Sequence, residues 1–392
     1  MSFMRLLTVF GKELRDHARD RRSLLSASIG VIFGPLMLAY IVHDAAQDRR
    51  SLEQIRVPVV GMERAPGLMQ WFEQQAGVEL EDYQGDPAAA VRAGDIQVAL
   101  EIDEEFGADM THGRPAETRL LFNDRRSRSR AMAGRVRRLV EAYSANVGRL
   151  RLIARGVAPS LPDAVRVEDV EVSAEDTRSR RLLGIVPMML LLAAFAAGMS
   201  ASADATAGER ERGSLEALLT NPVTPAELMA GKWAAAAALA SFGVAASIAF
   251  HFLVLGRTPL YELGVRLRLS PELGLALLAV ALPVALFAPA FEMCLALFAR
   301  SIKEAQSYLA FAVMLPIVPV MMTSMSDAEA APWLEMIPIV GQAQTIIHLL
   351  LGEAVSLPYA IVCAAATLAL AAVCVYALAR LLQREAIVFG RS

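Results

Sequence analysis

Residues 182–202 read LLGIVPMMLLLAAFAAGMSAS and contain no charged side chain. An uninterrupted apolar run of about 20 residues has the length that an α-helix needs to cross the hydrocarbon core of a bilayer. Further apolar runs of similar length occur at residues 23–42, 228–255, 273–298, 307–325 and 357–382. The sequence therefore predicts a membrane protein in which six transmembrane helices form an all-α bundle.

Charged and apolar residues are separated along the chain. Hydrophobic residues make up 55% of the sequence and charged residues 20%, against about 25% charged residues in soluble domains. Residues 43–181 contain no apolar run of membrane length, and charged residues are dense there. We therefore predict that residues 43–181 form one inserted α/β domain and that residues 182–392 contain the remaining five spans.

Local patterns predict the elements of the insert and of the N-terminus. The insert has four short segments rich in β-forming residues, at residues 55–60, 96–102, 120–123 and 165–172. Apolar residues recur every three or four positions through residues 127–155, which predicts one long amphipathic helix. Residues 1–22 combine an apolar stripe with many basic residues, which is typical of an interfacial helix on a membrane surface.

The charges beside the spans predict the orientation of the chain. Basic residues precede the first span, which places the N-terminus in the cytoplasm. Six spans return the C-terminus to the same side and make the insert extracytoplasmic. Residues 326–356 contain no lysine or arginine, as expected of an external loop. Pro338 and Gly341 interrupt the apolar part of this loop, so we predict short re-entrant or interfacial helices there.

The stretch after the second span, residues 208–232, reads GERERGSLEALLTNPVTPAELMAGK. It predicts a short charged helix over residues 208–220, which Pro222 ends because a proline disfavours the helical conformation of the residue before it. The sequence Thr-Pro-Ala-Glu, starting at Thr224, predicts a capping box with proline at the first helical position of the third span. On physical grounds there are two interpretations of this element. It either transmits the movement of a docked protein to the membrane helices, or it is a solvated connecting loop without a function.

The same stretch resembles the signature of type 2 ABC transporter permeases. The shared features are a Glu-rich helix, a Leu-Glu-x-Leu-Leu sequence, a turn with proline, and Gly-Lys entering the next span. In that family the helix is the coupling helix, which docks in a groove of a separate ATPase subunit. The resemblance implies docking by Glu209, Glu211, Leu215, Glu216, Leu218 and Leu219. It also implies that the geometry of the connection is set by Pro222, Pro225, Gly231 and Lys232.

Three other stretches resemble the sodium-extrusion (NatB-like) branch of that family. They are ARSIKEAQSY at residues 299–308, IPIVGQAQTIIHLLLG at residues 337–352 and REAIVF at residues 384–389. The insert resembles the extracytoplasmic domain of larger type 2 permeases. The resemblance covers nearly the whole chain, but it does not fix the substrate, and sodium, a drug, a lipid or a peptide all remain candidates.

The sequence lacks the motifs of an enzyme. No G-x-x-x-x-G-K-[ST] occurs, so no loop is predicted to bind nucleotide phosphates. Zinc-protease and serine-hydrolase signatures are absent, and the five histidines and three cysteines show no metal-ligand spacing. We therefore expect no catalytic residue, metal site or cofactor in this chain, with ATP and Mg²⁺ bound by a partner subunit.

Glu292 lies inside the fourth predicted span. Ionisable residues within spans are costly and mark functional sites by default. One interpretation gives Glu292 a role in a substrate or cation pathway. The other gives it a hydrogen bond between helices that only stabilises the bundle.

Together these features predict the permease subunit of an ATP-driven ABC exporter in a bacterial inner membrane. A transport pathway usually lies between two bundles of transmembrane helices, and six spans are too few for two bundles. We therefore expect a second copy or a similar permease as a partner. The other expected partners are two ATPase subunits and membrane lipid, and we expect no nucleic acid. The alternative is a membrane-anchored binding or signalling protein that acts through its extracytoplasmic domain. A neighbouring gene for a P-loop ATPase would favour the exporter.

Overall fold

The computed structural model describes residues 3–161, 179–180, 182–214, 222–265, 267–318, 321 and 332–383. The chain divides into two compact units. One unit consists of Met1–His43 and Ser173–Ser392, and the other of Asp44–Val172. The described residues of the first unit contain helices and no β-strand, whereas the second unit contains a β-sheet.

Two helices open the chain, α1 at Phe3–Arg19 and α2 at Arg21–Glu53. The interfacial helix predicted at residues 1–22 corresponds to α1. The first predicted span, residues 23–42, lies within α2, which continues past the predicted end of the span to Glu53. The sequence from His43 to Glu53 contains good helix formers and neither glycine nor proline, which allows the helix to continue.

The second unit is built on a four-stranded sheet with the order β2-β1-β3-β4. The strands are β1 (Ile55–Val60), β2 (Val78–Asp82), β3 (Val98–Ile102) and β4 (Thr118–Phe122). The helices are α3 (Pro66–Glu73), α4 (Pro87–Ala93), α5 (Phe106–Thr111) and α6 (Ser127–Ala154). β1 pairs in parallel with β2 and β3, whereas β3 and β4 are antiparallel. The core joins Val57 and Leu100 of the sheet to Phe72 of α3 and Val136 of α6.

Sequence patterns located most of these elements. Three predicted strands and the long helix occur within two residues of their predicted ends. The fourth predicted strand, residues 165–172, lies outside the described residues. The prediction missed β2, because its sequence VELED is short and offers only two apolar residues, Val78 and Leu80, which are partly buried against the core.

In the described residues, the first unit continues with α7 to α12. Their bounds are α7 (Ile185–Glu211), α8 (Pro225–Leu255), α9 (Pro271–Ala296), α10 (Ile302–Val313), α11 (Val340–Leu351) and α12 (Leu357–Leu381). α7, α8, α9 and α12 are long and apolar enough to cross a membrane. α8 packs against α7, α9, α12 and α1, and α9 packs against α7 and α12. The structure is thus mostly helical, with four candidate membrane helices in its described part.

The number of six spans stays a prediction. The fifth predicted span, residues 307–325, extends beyond the described residues, and the part that is described is not one continuous helix. α10 ends at Val313 and a turn follows at residues 314–316, because Pro316 cannot donate the hydrogen bond that continues a helix. In the predicted external segment, residues 326–356, α11 has only 12 residues, which is too short to cross a bilayer.

The structure differs from the separate helix predicted over residues 208–220. A π-helical segment, Asp204–Gly208, continues α7 into the charged sequence. The helix then ends at Glu211, because Gly213 adopts the left-handed conformation with φ of 68° that terminates helices. Residues 215–221 lie outside the described residues.

The predicted capping box at the start of α8 is confirmed. The Thr224 hydroxyl accepts a hydrogen bond from the Glu227 amide at 3.3 Å. In return, the Glu227 carboxylate accepts a hydrogen bond from the Thr224 amide at 3.0 Å. This reciprocal pair, with Pro225 at the first helical position, fixes where α8 begins.

Gly231 on α8 allows close contact with α1. Alanine substitutions at Gly231 and at Gly11 of α1 are therefore expected to change stability in opposite directions. A Cβ at Gly231 would lie 2.7 Å from the Cβ of Val9, whereas a Cβ at Gly11 of α1 meets no atom within 4 Å. Alanine is favoured over glycine in a helix by about 1 kcal/mol. We therefore expect Gly11→Ala to raise or preserve the unfolding temperature in detergent and Gly231→Ala to lower it. Equal shifts for the two variants would contradict the packing of α1 against α8.

Candidate functional site

A buried ionic group joins three elements at one end of the helical bundle. The ammonium of Lys232 on α8 lies between the carboxylates of Glu209 on α7 and Glu13 on α1. Its Nζ donates to Oε1 of Glu13 at 3.1 Å and makes a short hydrogen bond to Oε1 of Glu209. The three side chains are between 0% and 6% exposed. We call Glu13, Glu209 and Lys232 the Lys232 cluster.

Two side chains of α1 extend the Lys232 cluster. Lys12, whose side chain is 53% exposed, donates to the same Oε1 of Glu13 at 3.0 Å. The Nε2 of buried His17 lies 3.9 Å from the other oxygen of Glu13. Two lysines, Lys12 and Lys232, therefore face two carboxyl groups, those of Glu13 and Glu209.

Burial and charge act in opposite directions on Glu13. Burial raises the pKa of its carboxyl group. The ammonium of Lys232 and the hydrogen bond and charge of Lys12 act against burial, so the pKa of Glu13 lies below its ordinary value. The carboxylate is consequently ionised at neutral pH. An ionised carboxylate is what a buried ammonium needs, because an unpaired buried charge costs several kcal/mol.

The amphipathic pattern of α1 brings Glu13 to this position. Leu6, Val9 and Phe10 are partly buried on one face, and Glu13 and His17 continue that face one and two turns later. The position of a glutamate within the apolar stripe of a basic helix indicates that its side chain has a buried partner of opposite charge. The sequence could not identify that partner, since Lys232 is 219 residues away.

The charged sequence at the end of α7 contacts several elements in turn. We call residues 209–212, Glu-Arg-Glu-Arg, the ERER segment. After Glu209, Nη1 of Arg210 donates to the backbone oxygen of Leu297, just after α9, at 2.9 Å. Nη1 of Arg212, just after the end of α7, lies 2.8 Å from Oδ1 of Asp204, eight residues earlier in that helix. The segment thus binds α8, the end of α9 and its own helix.

Glu211 connects the ERER segment to α10. Its Oε2 accepts a hydrogen bond at 2.7 Å from the amide of Ile302, the first residue of α10. The first amides of a helix have no partner within the helix, and the helix dipole favours a negative charge there. The Ser301 hydroxyl also accepts from the amide of Glu304 at 3.3 Å. A carboxylate from α7 thereby completes the cap of α10.

The residues predicted to dock the ATPase or to set the geometry of the connection differ in exposure and in their contacts. Glu209 was expected to meet a partner, but it is 4% exposed and faces Lys232. Glu211 is exposed and bonded to α10, and Pro222 is exposed in a bend before α8. Lys232 contacts Glu13 of α1 and Glu209 of α7, and its expected role in setting the geometry of the connection stays a prediction. The remaining predicted docking residues lie outside the described residues: Leu215, Glu216, Leu218 and Leu219.

Glu292 lies on α9 away from these contacts and is fully buried. Neither of its carboxylate oxygens makes a hydrogen bond with the described residues. Ser202 on the neighbouring helix α7 is also buried, and its hydroxyl donates to the backbone oxygen of Gly198 at 3.0 Å. The described part of the chain brings no three metal-ligating side chains together.

Helices of membrane length, tied together at one end by a buried ionic cluster, define a multi-pass membrane protein. A family model of ABC-2 family transporter proteins matches residues 7–385 of the chain. The chain is also similar to the ABC transporter permease protein NatB of Bacillus subtilis (strain 168), with 27% identity over 317 residues. That match covers 79% of this chain and 80% of the relative.

The chain therefore belongs to the ABC-2 transporter family. It is a membrane permease subunit of an ABC transporter, and the family implies association with an ABC ATPase subunit. The predicted resemblance to type 2 ABC permeases and to their NatB-like members is confirmed. The Lys232 cluster and the ERER segment lie within the matched residues.

Removal of the central lysine tests the Lys232 cluster. Lys232→Met leaves two carboxylates buried without an ammonium between them, and breaking a buried pair from one side costs about 3–5 kcal/mol. We expect a correspondingly large fall in the free energy of unfolding, measured by denaturation in detergent. Lys12→Met removes a half-exposed ammonium and should cost about 1 kcal/mol or less. Equal losses in the two variants would contradict a central role for Lys232.

The lowered pKa of Glu13 predicts how acid affects the bundle. A carboxyl whose pKa falls on folding contributes stability above its unfolded pKa, near 4.5, and this contribution is lost as pH falls through the lower folded value. The unfolding temperature should therefore decrease below pH 4.5, and Glu13→Gln should reduce the slope. Glu63→Gln, a change at an exposed carboxylate, is the control. An unchanged slope in Glu13→Gln would show that Glu13 is not paired.

Proposed function

We propose that this chain is the membrane-spanning subunit of an ATP-driven exporter and carries no ATPase site of its own. ATP and Mg²⁺ would be bound by two copies of a separate ATPase subunit, and the chain would pair with a second copy or a similar permease. The observation that carries the proposal is the ERER segment, which bonds to α8, to the end of α9 and to the start of α10. A force applied beside this segment would reach several helices together.

The proposed docking element is residues 208–220, followed by the bend at Pro222. It leaves the end of α7 and returns to the capped start of α8. The Lys232 cluster holds those two helix ends to each other and to α1. Movement of an ATPase during ATP binding would therefore displace α1, α7 and α8 as a set, because coupling passes through contiguous packed or bonded elements.

This arrangement divides the expected coupling residues into two roles. Glu209 and Lys232 are positioning residues that hold the helix ends together, since both are buried. Glu211 is a positioning residue for α10. Leu215, Glu216, Leu218 and Leu219 are the proposed contacts with the ATPase, and Pro222 sets the angle of the return to α8.

Glu292 is the proposed marker of the substrate pathway. A buried carboxyl without a hydrogen-bond partner does not stabilise a bundle, so its presence on a membrane helix favours a role in transport. The transported substrate would be sodium, a drug, a lipid or a peptide, moved outward. We further propose an inner-membrane location in bacteria, with both termini in the cytoplasm and residues 43–181 outside.

The test is ATPase activity of the permease reconstituted in lipid with its ATPase. One variant replaces the proposed contacts, Leu215→Ala, Glu216→Ala, Leu218→Ala and Leu219→Ala, and should lose association with the ATPase. A second variant, Glu211→Ala, removes the acceptor of the Ile302 amide; it should retain association but lose much of the effect of the permease on ATP turnover, because α10 is uncoupled. Glu63→Ala is the matched control at an exposed glutamate of the other unit.

Two results would overturn the proposal. One is unchanged association and turnover in the variant with the four alanines. The other is the absence of any associated ATPase, which would favour the alternative of a membrane-anchored binding or signalling protein. A loss of association in Glu211→Ala equal to that in the variant with the four alanines would contradict the division of roles between docking and positioning residues.

A further inference from the structure

An apolar groove of about 370 Å³ runs along the surface of the bundle between α8, α9 and α12. It exists because the helices present small side chains there, including Ala230 of α8 and Ala371 and Ala372 of α12. One wall is the indole of Trp233, which is held in place because its Nε1 donates to the backbone oxygen of Leu286 at 2.9 Å. The groove is therefore a formed feature of the packed helices.

The length of the groove corresponds to one leaflet of a membrane. Its lining along α12 extends from Leu368 to Ala379. With a rise of 1.5 Å per residue, this is about 16 Å of helix. The hydrocarbon core of a bilayer is about 30 Å thick, so the groove has the depth of one acyl layer.

An arginine lies at one end of the groove. Tyr376, a lining residue, is 60% exposed, and its hydroxyl accepts a hydrogen bond from Nε of exposed Arg380 at 2.8 Å. The guanidinium carbon also lies 5.3 Å from the centre of the Tyr376 ring. The two terminal nitrogens of Arg380 make no hydrogen bond with the described residues, and both can donate to an anion.

This end of the groove is the end that holds the Lys232 cluster. Leu378 and Leu382, on either side of Arg380 in the sequence, pack against Met229 of α8 in one apolar cluster. Met229 lies less than one turn before Lys232 on the same helix. If the proposed function holds, this is the cytoplasmic end, where the leaflet is rich in anionic lipid.

We propose that this groove binds an anionic phospholipid, with an acyl chain along α12 and the phosphate at Arg380. The apolar lining fits the chain, and the guanidinium fits the phosphate, with which arginine forms charge-assisted hydrogen bonds. Tyr376 acts as a positioning residue that holds Arg380 at the groove. The proposal rests on the proposed function only for the assignment of the leaflet.

A second copy of the chain fits this groove less well than a lipid. In a symmetric contact through α12, the two copies of Arg380 would be brought close together. Residues Leu357–Leu381 contain no aspartate or glutamate that could neutralise them. Two like charges at an apolar contact are unfavourable, whereas a phosphate supplies the missing negative charge.

Photolabelling of the full chain in phosphatidylcholine nanodiscs tests the proposal. The probes are phosphatidylglycerol and phosphatidylcholine that carry the same diazirine on the acyl chain, and mass spectrometry locates the adducts. We expect phosphatidylglycerol to label the groove walls on α8 and α12 preferentially. Arg380→Gln should reduce that labelling about fivefold, the contribution of one basic residue near an anionic surface. Ala372→Trp should abolish it by filling the groove.

The matched control is Arg257→Gln. Arg257 is exposed just after α8 and donates to the backbone oxygen of Leu253, away from the groove, so labelling should not change. Equal labelling by both lipids, or labelling insensitive to Arg380→Gln, would overturn the proposal. Disulfide formation between two copies of Ala372→Cys without lipid adducts would instead identify a second copy as the occupant. No ATPase is present in this experiment, so its failure is distinguishable from failure of the proposed function.

Discussion

The burial of one ammonium group constrains the arrangement of the bundle. Lys232 is 1% exposed, and a charge in such an environment is tolerated only with counter-charges at hydrogen-bond distance. The two carboxylates that satisfy it belong to α1 and α7, while the lysine belongs to α8. None of these helix ends can move far from the others without exposing the group to water or leaving it unpaired. The ionic contact thus determines three helix positions at once, which apolar packing alone would leave free to slide.

The proposed transmission of movement through the ERER segment depends on the same constraint. The ERER segment uses successive side chains to bond to α8, to the end of α9 and to α10. A connection made only of solvated loop would absorb a displacement by changing its own backbone angles. Here the helix ends on both sides of the connection are fixed, one by Lys232 and the other by the Thr224 capping box. Displacement of the intervening residues would therefore move whole helices, which is the property that a coupling element requires.

The sequence predicted the elements better than the directions of their side chains. Apolar runs placed the starts of α7, α8, α9 and α12 within about three residues, because bilayer thickness sets the length of such runs. The inward direction of Glu209 could not be predicted. A π-helical segment precedes it, and one extra residue rotates the following positions by about 100° relative to a regular helix. Glu13 was missed for another reason, since its partner is distant in sequence and no local pattern contains that information.

Two buried ionisable residues in this bundle, Lys232 and Glu292, have different environments. Lys232 has a carboxylate on each side, so its burial can be explained by the assembly of the helices alone. Glu292 is equally buried, but its oxygens have no hydrogen-bond partner among the described residues. A carboxyl in that position weakens the bundle compared with an apolar side chain of similar size. A group that costs stability is expected where a protein binds something transiently. The buried carboxyl of Glu292, rather than the ionic cluster, is therefore the group that we propose for the substrate pathway.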